Sequence, residues 1–260
     1  MNKASGLFCA ALLMGLSPLA RADEVIVNGG FEIAGPGGAT QSANWVALVG
    51  SVPGTLSMRD STSPRTGGFA QHIRAVGGSA IGSTGGIIQN SIADCGLPSL
   101  QQSTTVRATF SAKVNLGPGG VGFYTLRILN RNGAIVASTG LGAMNDTAGA
   151  YRQFSMGPLT VPAFGAPPND SFASMIELVV SAGAFTASNA EAFIDDVSVT
   201  GTLIPVCRAD FNHDGVVDFF DYLDFVDAFS ANNPSVDFNG DTVIDFFDYL
   251  DFVDAFSSGC

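Results

Sequence analysis

Near the C-terminal end of the chain, carboxylate and amide side chains recur at alternate positions, and they do so twice. Residues 209–230 read ADFNHDGVVDFFDYLDFVDAFS and residues 236–257 read VDFNGDTVIDFFDYLDFVDAFS, with 18 of 22 positions identical at an offset of 27. A repeat this close is one structural unit used twice. The oxygen-bearing side chains are Asp210, Asn212, Asp214, Asp218 and Asp221 in the first copy, and Asp237, Asn239, Asp241, Asp245 and Asp248 in the second. Counted from the first Asp, they fill positions 1, 3, 5, 9 and 12 of a calcium loop, and the backbone carbonyl of Val216 or Val243 falls at position 7. Ca2+ takes about 6–8 oxygens at roughly 2.3–2.6 Å, and only a tightly turning loop gathers so many from one short segment. Gly215 suits a positive-φ turn at position 6. Thr242 in the second copy is β-branched, so the second site is expected to be weaker or distorted. The alternative is a solvated acidic face. Against it stand the Asn at position 3 in both copies and the mutual repulsion of carboxylates crowded without a cation.

Each loop runs into FFDYLDFVDAF, which has no Gly or Pro and predicts a helix. At about 100° per residue, Phe219, Tyr222, Leu223, Val226 and Phe229 gather on one side, and Asp221, Asp224 and Asp227 spread over the other. Phe220 and Phe225 fall at the margins of the stripe, as do Phe247 and Phe252 in the second copy. Two such helices are expected to bury their stripes against each other.

A duplicated D-x-N-x-D-G-x-V-D-x-x-D loop, each copy followed by one helix, resembles a dockerin module over residues 207–260; Thr242 is its one departure from the loop signature. The resemblance implies a non-catalytic, calcium-folded module holding two Ca2+ ions and docking to a cohesin-like or other surface protein. Phe219-Phe220 and Phe246-Phe247 stand where cohesin-binding dockerins often carry small hydroxylated residues, a departure from the conventional cohesin partner. Dockerin-like modules bring their two ends together, so the resemblance also implies a clasping disulfide between Cys207 and Cys260. Such a clasp would contribute about 4 kcal/mol by chain entropy. Two alternatives stay open: Cys260, in a terminal Gly-Cys, as an attachment site, or Cys95 as the disulfide partner.

Charge follows the repeat. The 260-residue chain has a formal net charge of −12. Residues 207–260 hold twelve Asp and one Arg, and eleven acids and ten bases lie before them. No basic patch exists, which argues against nucleic acid as a partner. Residues 1–22 read as a secretory signal: Lys3, an apolar run over 6–16, then Ala20-Arg21-Ala22 as a small-x-small cleavage site. That apolar run is too short to span a membrane and no later stretch is a transmembrane candidate, so an extracellular, secreted or cell-surface protein is expected.

Residues 23–201 carry short β-rich runs separated by Gly/Pro/Asn/Ser clusters, which predicts an antiparallel β-sandwich, with residues 202–206 as a short linker. Its first and last segments hold the informative residues. Asn28-Gly29-Gly30-Phe31-Glu32 opens the domain, and Ala192-Phe193-Ile194-Asp195-Asp196-Val197-Ser198-Val199 closes it. By the strand period of two, Phe193, Asp195, Val197 and Val199 share one face. A carboxylate on an apolar face must be paired, hydrogen-bonded or metal-bound, and Glu32 is its natural neighbour. These two motifs resemble those of carbohydrate-binding modules and galactose-binding-like jelly rolls. The resemblance implies a two-sheet jelly roll with a structural Ca2+ held by the Gly30 carbonyl, Glu32 and Asp195. The other reading leaves both carboxylates solvated or hydrogen-bonded at strand ends.

Sugar clefts need aromatic platforms and polar hydrogen-bonders, and the candidates are Trp45, Gln71, Gln89 and Tyr124. No nucleophile–base arrangement, zinc spacing or phosphate loop stands out; Glu177 and Glu191 are an unmarked carboxylate pair. The expectation is a non-catalytic binding and anchoring protein whose jelly roll binds a polysaccharide. The alternatives are a structural or adhesion protein that binds no sugar, or a small glycan-active enzyme.

Overall fold

A computed structural model describes residues 22–169, 171–204, 207–212 and 217–258. The predicted signal segment up to residue 21, Pro205 and Val206 of the linker, Asp214, Val216 and Cys260 lie outside the described residues.

Among the described residues, fourteen strands precede the helices. In chain order they are β1 (Asp23–Glu24), β2 (Ala34–Gly35), β3 (Gly38–Ser42), β4 (Val46–Val49), β5 (Leu56–Asp60), β6 (Ala70–Val76) and β7 (Ser83–Asn90). Then follow β8 (Thr105–Leu116), β9 (Gly120–Asn130), β10 (Ile135–Ser138), β11 (Gly142–Ala143), β12 (Arg152–Thr160), β13 (Phe172–Ala182) and β14 (Asn189–Gly201). One sheet has the order β12-β8-β14-β6-β5, with β1 added to β14. The other has the order β10-β9-β13-β7-β4, with β11 added to β9. All pairings are antiparallel, and β2 with β3 forms a separate small ribbon. The architecture is a mainly-β sandwich compatible with a jelly roll. Alternation puts Phe110, Ala112 and Val114 of β8 and Ile73 of β6 into the core, facing Leu126, Ile128, Ile176 and Leu178 of the second sheet.

The closing strand β14 departs from simple alternation. Its inward residues are Ala190, Ala192 and Ile194, then Val197 and Val199. Between Asp195 and Ser198 the register with β8 shifts, and Asp196 has φ +48°. This β-bulge inserts one residue and exchanges the two faces. Phe193 and Val197 therefore do not share a face, contrary to the period-of-two expectation. Asp195 sits at the changeover and is fully buried.

Helices α1 (Phe219–Ser230) and α2 (Phe246–Ser258) are joined through a single 3-10 turn at Pro234–Val236. Asp218 caps α1 by accepting from the Phe220 N–H at 2.8 Å, and Asp245 caps α2 by accepting from Phe247 N–H at 2.8 Å. The helices share a core of their own, centred on Phe225 and Phe252, whose rings stack at 3.9 Å and 4°, with Val236 and Phe238. The tyrosines Tyr222 and Tyr249 meet at their hydroxyls, 3.2 Å apart. The buried face differs from the predicted stripe. Phe225 and Phe252, expected at its margins, are fully buried, whereas Phe219 and Leu223, expected at its centre, are exposed. The cause is Asp221, also fully buried, which must face its own loop. That rotation carries Phe225, one turn onward, inward.

Because the two cores are separate clusters, damage to one should leave the other folded. Phe225→Ala or Phe252→Ala should lower the stability of the helical module by about 3–5 kcal/mol. Trp45, the only Trp, lies in the sandwich core. Its fluorescence transition should therefore stay in place while a transition followed by far-UV helix signal moves to lower temperature.

Candidate functional site

The N-G-G-F-E turn is a joint between the first and last segments of the sandwich. Asn28 (φ +55°) accepts from the Ile33 N–H at 3.0 Å and donates to the Ile33 and Ala43 carbonyls at 2.9 and 3.1 Å. Gly29 lies so close to the bulge that a Cβ there would fall 1.9 Å from the Val197 carbonyl oxygen. Its own carbonyl accepts from Val197 N–H at 2.9 Å. Phe31 is fully buried against Trp45, with ring centroids 5.2 Å apart.

Gly30, Glu32 and Asp195 come together at this joint. A Cβ at position 30 would lie 4.0 Å from both Asp195 Oδ1 and Glu32 Cγ. The carboxylate oxygens are turned onto the 61–69 segment. Asp195 Oδ2 accepts from the N–H groups of Arg65 (2.7 Å) and Thr66 (3.0 Å), and Oδ1 accepts from Asp196 N–H (2.8 Å). Glu32 Oε1 accepts from Gly68 and Phe69 N–H at 3.0 and 3.1 Å. A Cβ at Gly67, where φ is +59°, would strike that same oxygen at 2.2 Å. Asp196 holds Arg65 and the Thr66 hydroxyl. Burial pushes the Asp195 carboxyl above its ordinary value, and its backbone donors offset part of that rise. These donors meet both oxygens of Asp195 and Oε1 of Glu32.

The four expected sugar contacts lie inside. Trp45 is 4% exposed and spends its indole N–H on the Asn28 carbonyl at 3.0 Å. Gln71 is buried between the Ser42 and Ser57 hydroxyls at 2.7 and 2.9 Å. Gln89, fully buried, ties Val27 N–H, Val27 carbonyl and Asn44 carbonyl at 3.1, 3.0 and 2.8 Å. Tyr124 is partly buried, edge-on to Phe110 and Phe154. Trp45 and Gln71 do line one small cavity of about 190 Å³ with Thr40, Ser57 and Met58. None of the four is an open platform, because each fills a backbone or packing vacancy between the sheets.

In the C-terminal repeat, the second loop is wound on its own donors. Asp237 accepts from Gly240 and Thr242 N–H at 2.8 and 2.9 Å, Asn239 from Asp241 at 2.9 Å, and Asp241 from Val243 at 2.8 Å. Asp248, out of contact with water, accepts from Phe238, Asn239 and Asp245 N–H at 2.7, 3.2 and 2.9 Å. These donors, Asp245 N–H foremost, outweigh desolvation and hold its carboxyl below the usual carboxylate range. Thr242 adopts φ +72°, the turn expected of position 6 in spite of its branched side chain. In the first loop, Asp221 accepts from Asn212 and Asp218 N–H at 3.0 and 2.8 Å, repeating the pattern. Asp210 and Asn212 are described, and Asp214 and Val216 are not. The donor set, all carboxylate, amide and carbonyl oxygen, suits a hard cation such as Ca2+. Among the described residues, no group of three or more His, Cys, Asp or Glu side chains is placed closely enough to hold a metal ion.

Cys207 is disulfide-bonded and Cys95 is a free thiol, so Cys95 is not its partner. Burial pushes the Cys95 thiol up to about 11. Cys260 lies outside the described residues. No helix of the described residues is long and apolar enough to cross a membrane.

Three groups carry weight that the sequence did not reveal. Arg59, buried on β5, donates to the carbonyls of Phe31, Glu32 and Ala39 at 2.6, 2.8 and 3.1 Å. Its guanidinium also lies 3.2 Å over the Phe69 ring, clamping the opening turn. On the outer face of the first sheet, His72 bonds Glu191 at 2.6 Å and stacks on Phe193 at 4.2 Å. Lys113 stands 4.9 Å over that same ring. His72 and Glu191 are 119 residues apart in sequence, and only the strand register joins them.

No family model matches the chain, and no curated protein matches it. Among solved structures, the tailspike protein 4 enzymatic domain of bacteriophage CBA120 is similar at 16% identity with a TM-score of 0.46. That match covers 70% of this chain but only 21% of the tailspike. A cyclase from Fischerella sp. TAU is similar at 14% identity and TM-score 0.46, over 72% of this chain and 100% of the cyclase. The CBM22-1 xylan-binding domain of Paenibacillus barcinonensis Xyn10C is similar at 13% identity and TM-score 0.41, over 70% and 97%. Binding modules and enzymes thus stand side by side among the likenesses.

The Asp195 carboxylate is the anchor of the 61–69 segment. Asp195→Ala should leave the Arg65 and Thr66 N–H groups without partners, at a cost of about 3 kcal/mol. Denaturant unfolding should show that loss, and limited proteolysis should cut between residues 61 and 69 well before it does so in the unaltered protein.

Proposed function

We propose that this chain is an exported, non-catalytic binding protein in two parts. The sandwich faces carbohydrate, and the duplicated loop–helix module attaches it, in a calcium-dependent manner, to a cohesin-like or other surface partner. The observation that carries the reading is the repeated closure of each loop on its own twelfth residue. Asp221 and Asp248 are both fully buried, both accept backbone N–H groups of their own loop, and each fixes the helix that follows. The residues that would hold the two ions are Asp210, Asn212, Asp214, Asp218 and Asp221 with the Val216 carbonyl, and Asp237, Asn239, Asp241, Asp245 and Asp248 with the Val243 carbonyl. A third ion is proposed at the Gly30 carbonyl, Glu32 and Asp195. A disulfide from Cys207 to Cys260 would clasp the ends of the module.

The attachment surface is marked by Phe219, Phe220, Phe246 and Phe247, each more than 60% exposed, beside the two helix starts. Aromatic side chains left in water at twin positions favour an apolar partner surface over the hydroxyl-reading one of conventional dockerins.

The second reading is a structural or adhesion protein whose sandwich takes up no sugar. The burial of Trp45, Gln71 and Gln89 favours it.

Calcium titration of the full chain tests attachment. At one hundred times the dissociation constant, an ion bound only by the folded state stabilises it by about 2.7 kcal/mol per site. The helix transition should therefore rise on adding calcium and fall back with chelator, and Asp248→Ala should remove the second site's share. A helix transition indifferent to millimolar calcium would sink the attachment reading. A polysaccharide array with the same protein separates the two readings of the sandwich.

A further inference from the structure

We propose that the carbohydrate-facing reading has its site on the outer face of the first sheet, in a cavity of about 410 Å³ between β8, β14 and the 146–149 loop. The site is proposed to take a neutral, hydroxyl-rich saccharide unit. This inference rests on the carbohydrate reading above and assigns it a place.

Register builds the floor. Glu191 pairs with Asn115, and Phe193 pairs with Lys113, so four side chains form a block on the outer face. The 146–149 loop forms the wall. Strand β12 leaves β8 at Ala112, and beyond that point the 146–149 loop takes over the edge. Thr147 exchanges hydrogen bonds with Val114, N–H to carbonyl at 3.0 Å and N–H to hydroxyl at 2.9 Å. Asp146 accepts from Leu116 and Ala148 N–H at 2.9 and 2.8 Å. The loop is therefore pinned to the sheet, and a volume in the range of small-molecule sites, roughly 300–1,000 Å³, is held open beside it.

Glu191 and Lys113 are oriented from behind. Glu191 is held by His72 at 2.6 Å, and the other ring nitrogen of His72 faces Asp60 at 3.4 Å. Lys113 donates to the Ser63 hydroxyl, and the Tyr151 hydroxyl donates to the Ser63 carbonyl. Side chains fixed in this way lose little freedom on binding, the usual condition for a built site.

The composition selects the ligand. Glu191 and Asp146 accept, Lys113 donates, Asn115 does both, and the Phe193 ring gives a hydrocarbon edge. An anion would meet two carboxylates, and a cation would meet an ammonium. A sugar hydroxyl both donates and accepts, so a ring carrying several of them matches this mixture without a charge conflict.

The test is calorimetric titration of the full chain with neutral xylo-, cello-, manno- and arabino-oligosaccharides. Saturable binding by the unaltered chain is expected. Glu191→Gln and Asn115→Ala should each weaken it, the former by about tenfold or more, the loss of one charge-assisted hydrogen bond. Asn115 is exposed, so its truncation leaves folding intact if the Glu191 variant does not fold. Glu177→Gln, on the outer face of the other sheet where Glu177 pairs with Arg127 at 2.8 Å, should bind as the unaltered chain does. Binding unchanged in the Glu191 and Asn115 variants, or lost in the Glu177 variant, overturns the assigned site and leaves the carbohydrate reading standing. No binding by the unaltered chain overturns both.

Discussion

Three fully buried carboxylates, Asp195, Asp221 and Asp248, organise this chain, and each is met chiefly by backbone N–H groups rather than by cationic side chains. A charged group withdrawn from water is tolerated only when its lone pairs are occupied. Here the occupants are loop amides, which would otherwise be unpaired themselves. One side chain therefore holds backbone amides of an irregular segment: 65–66 for Asp195, Asn212 and Asp218 for Asp221, and Phe238, Asn239 and Asp245 for Asp248.

The same constraint explains where hydrophobic patterning misleads. The amphipathic stripe of FFDYLDFVDAF, taken alone, centres on Phe219, Tyr222 and Leu223. The loop requires Asp221 to face inward, and a helix has one rotational degree of freedom. Once Asp221 is set, Phe225 is carried into the core and Phe219-Phe220 is carried out. A polar anchor of one residue thus overrides the apolar preference of several, because leaving that carboxylate half-satisfied costs more than exposing a ring edge.

In the sandwich, what was legible was local. The short β-rich runs and the turn clusters between them follow from local pattern, whereas the pairing of the first and last motifs comes from the burial argument for Asp195 and from the resemblance. What was not legible depends on register. The bulge at Asp195-Asp196 moves Val197 and Val199 to the opposite face from Phe193, and no composition signal marks it. Trp45 and Gln89 read as sugar contacts by residue type alone. The bonds they make to Asn28, Val27 and Asn44 emerge only when segments 17 to 62 residues apart are brought together. The His72–Glu191 pair and the Arg59 clamp are likewise products of strand order.

The 61–69 segment joins the Gly30–Glu32–Asp195 corner to the proposed saccharide cavity. At one end Asp195 and Glu32 hold its backbone at 65, 66, 68 and 69, and Asp196 holds the Arg65 and Thr66 side chains. At the other, Ser63 accepts from Lys113 and Tyr151 and so sets the ammonium beside Phe193. Whatever tightens the Gly30–Glu32–Asp195 corner, whether amides alone or amides with a cation, also fixes the loop that positions Lys113. Corner and cavity are then two ends of one strap. Ligand affinity at the proposed cavity and order in the 61–69 segment should therefore rise and fall together.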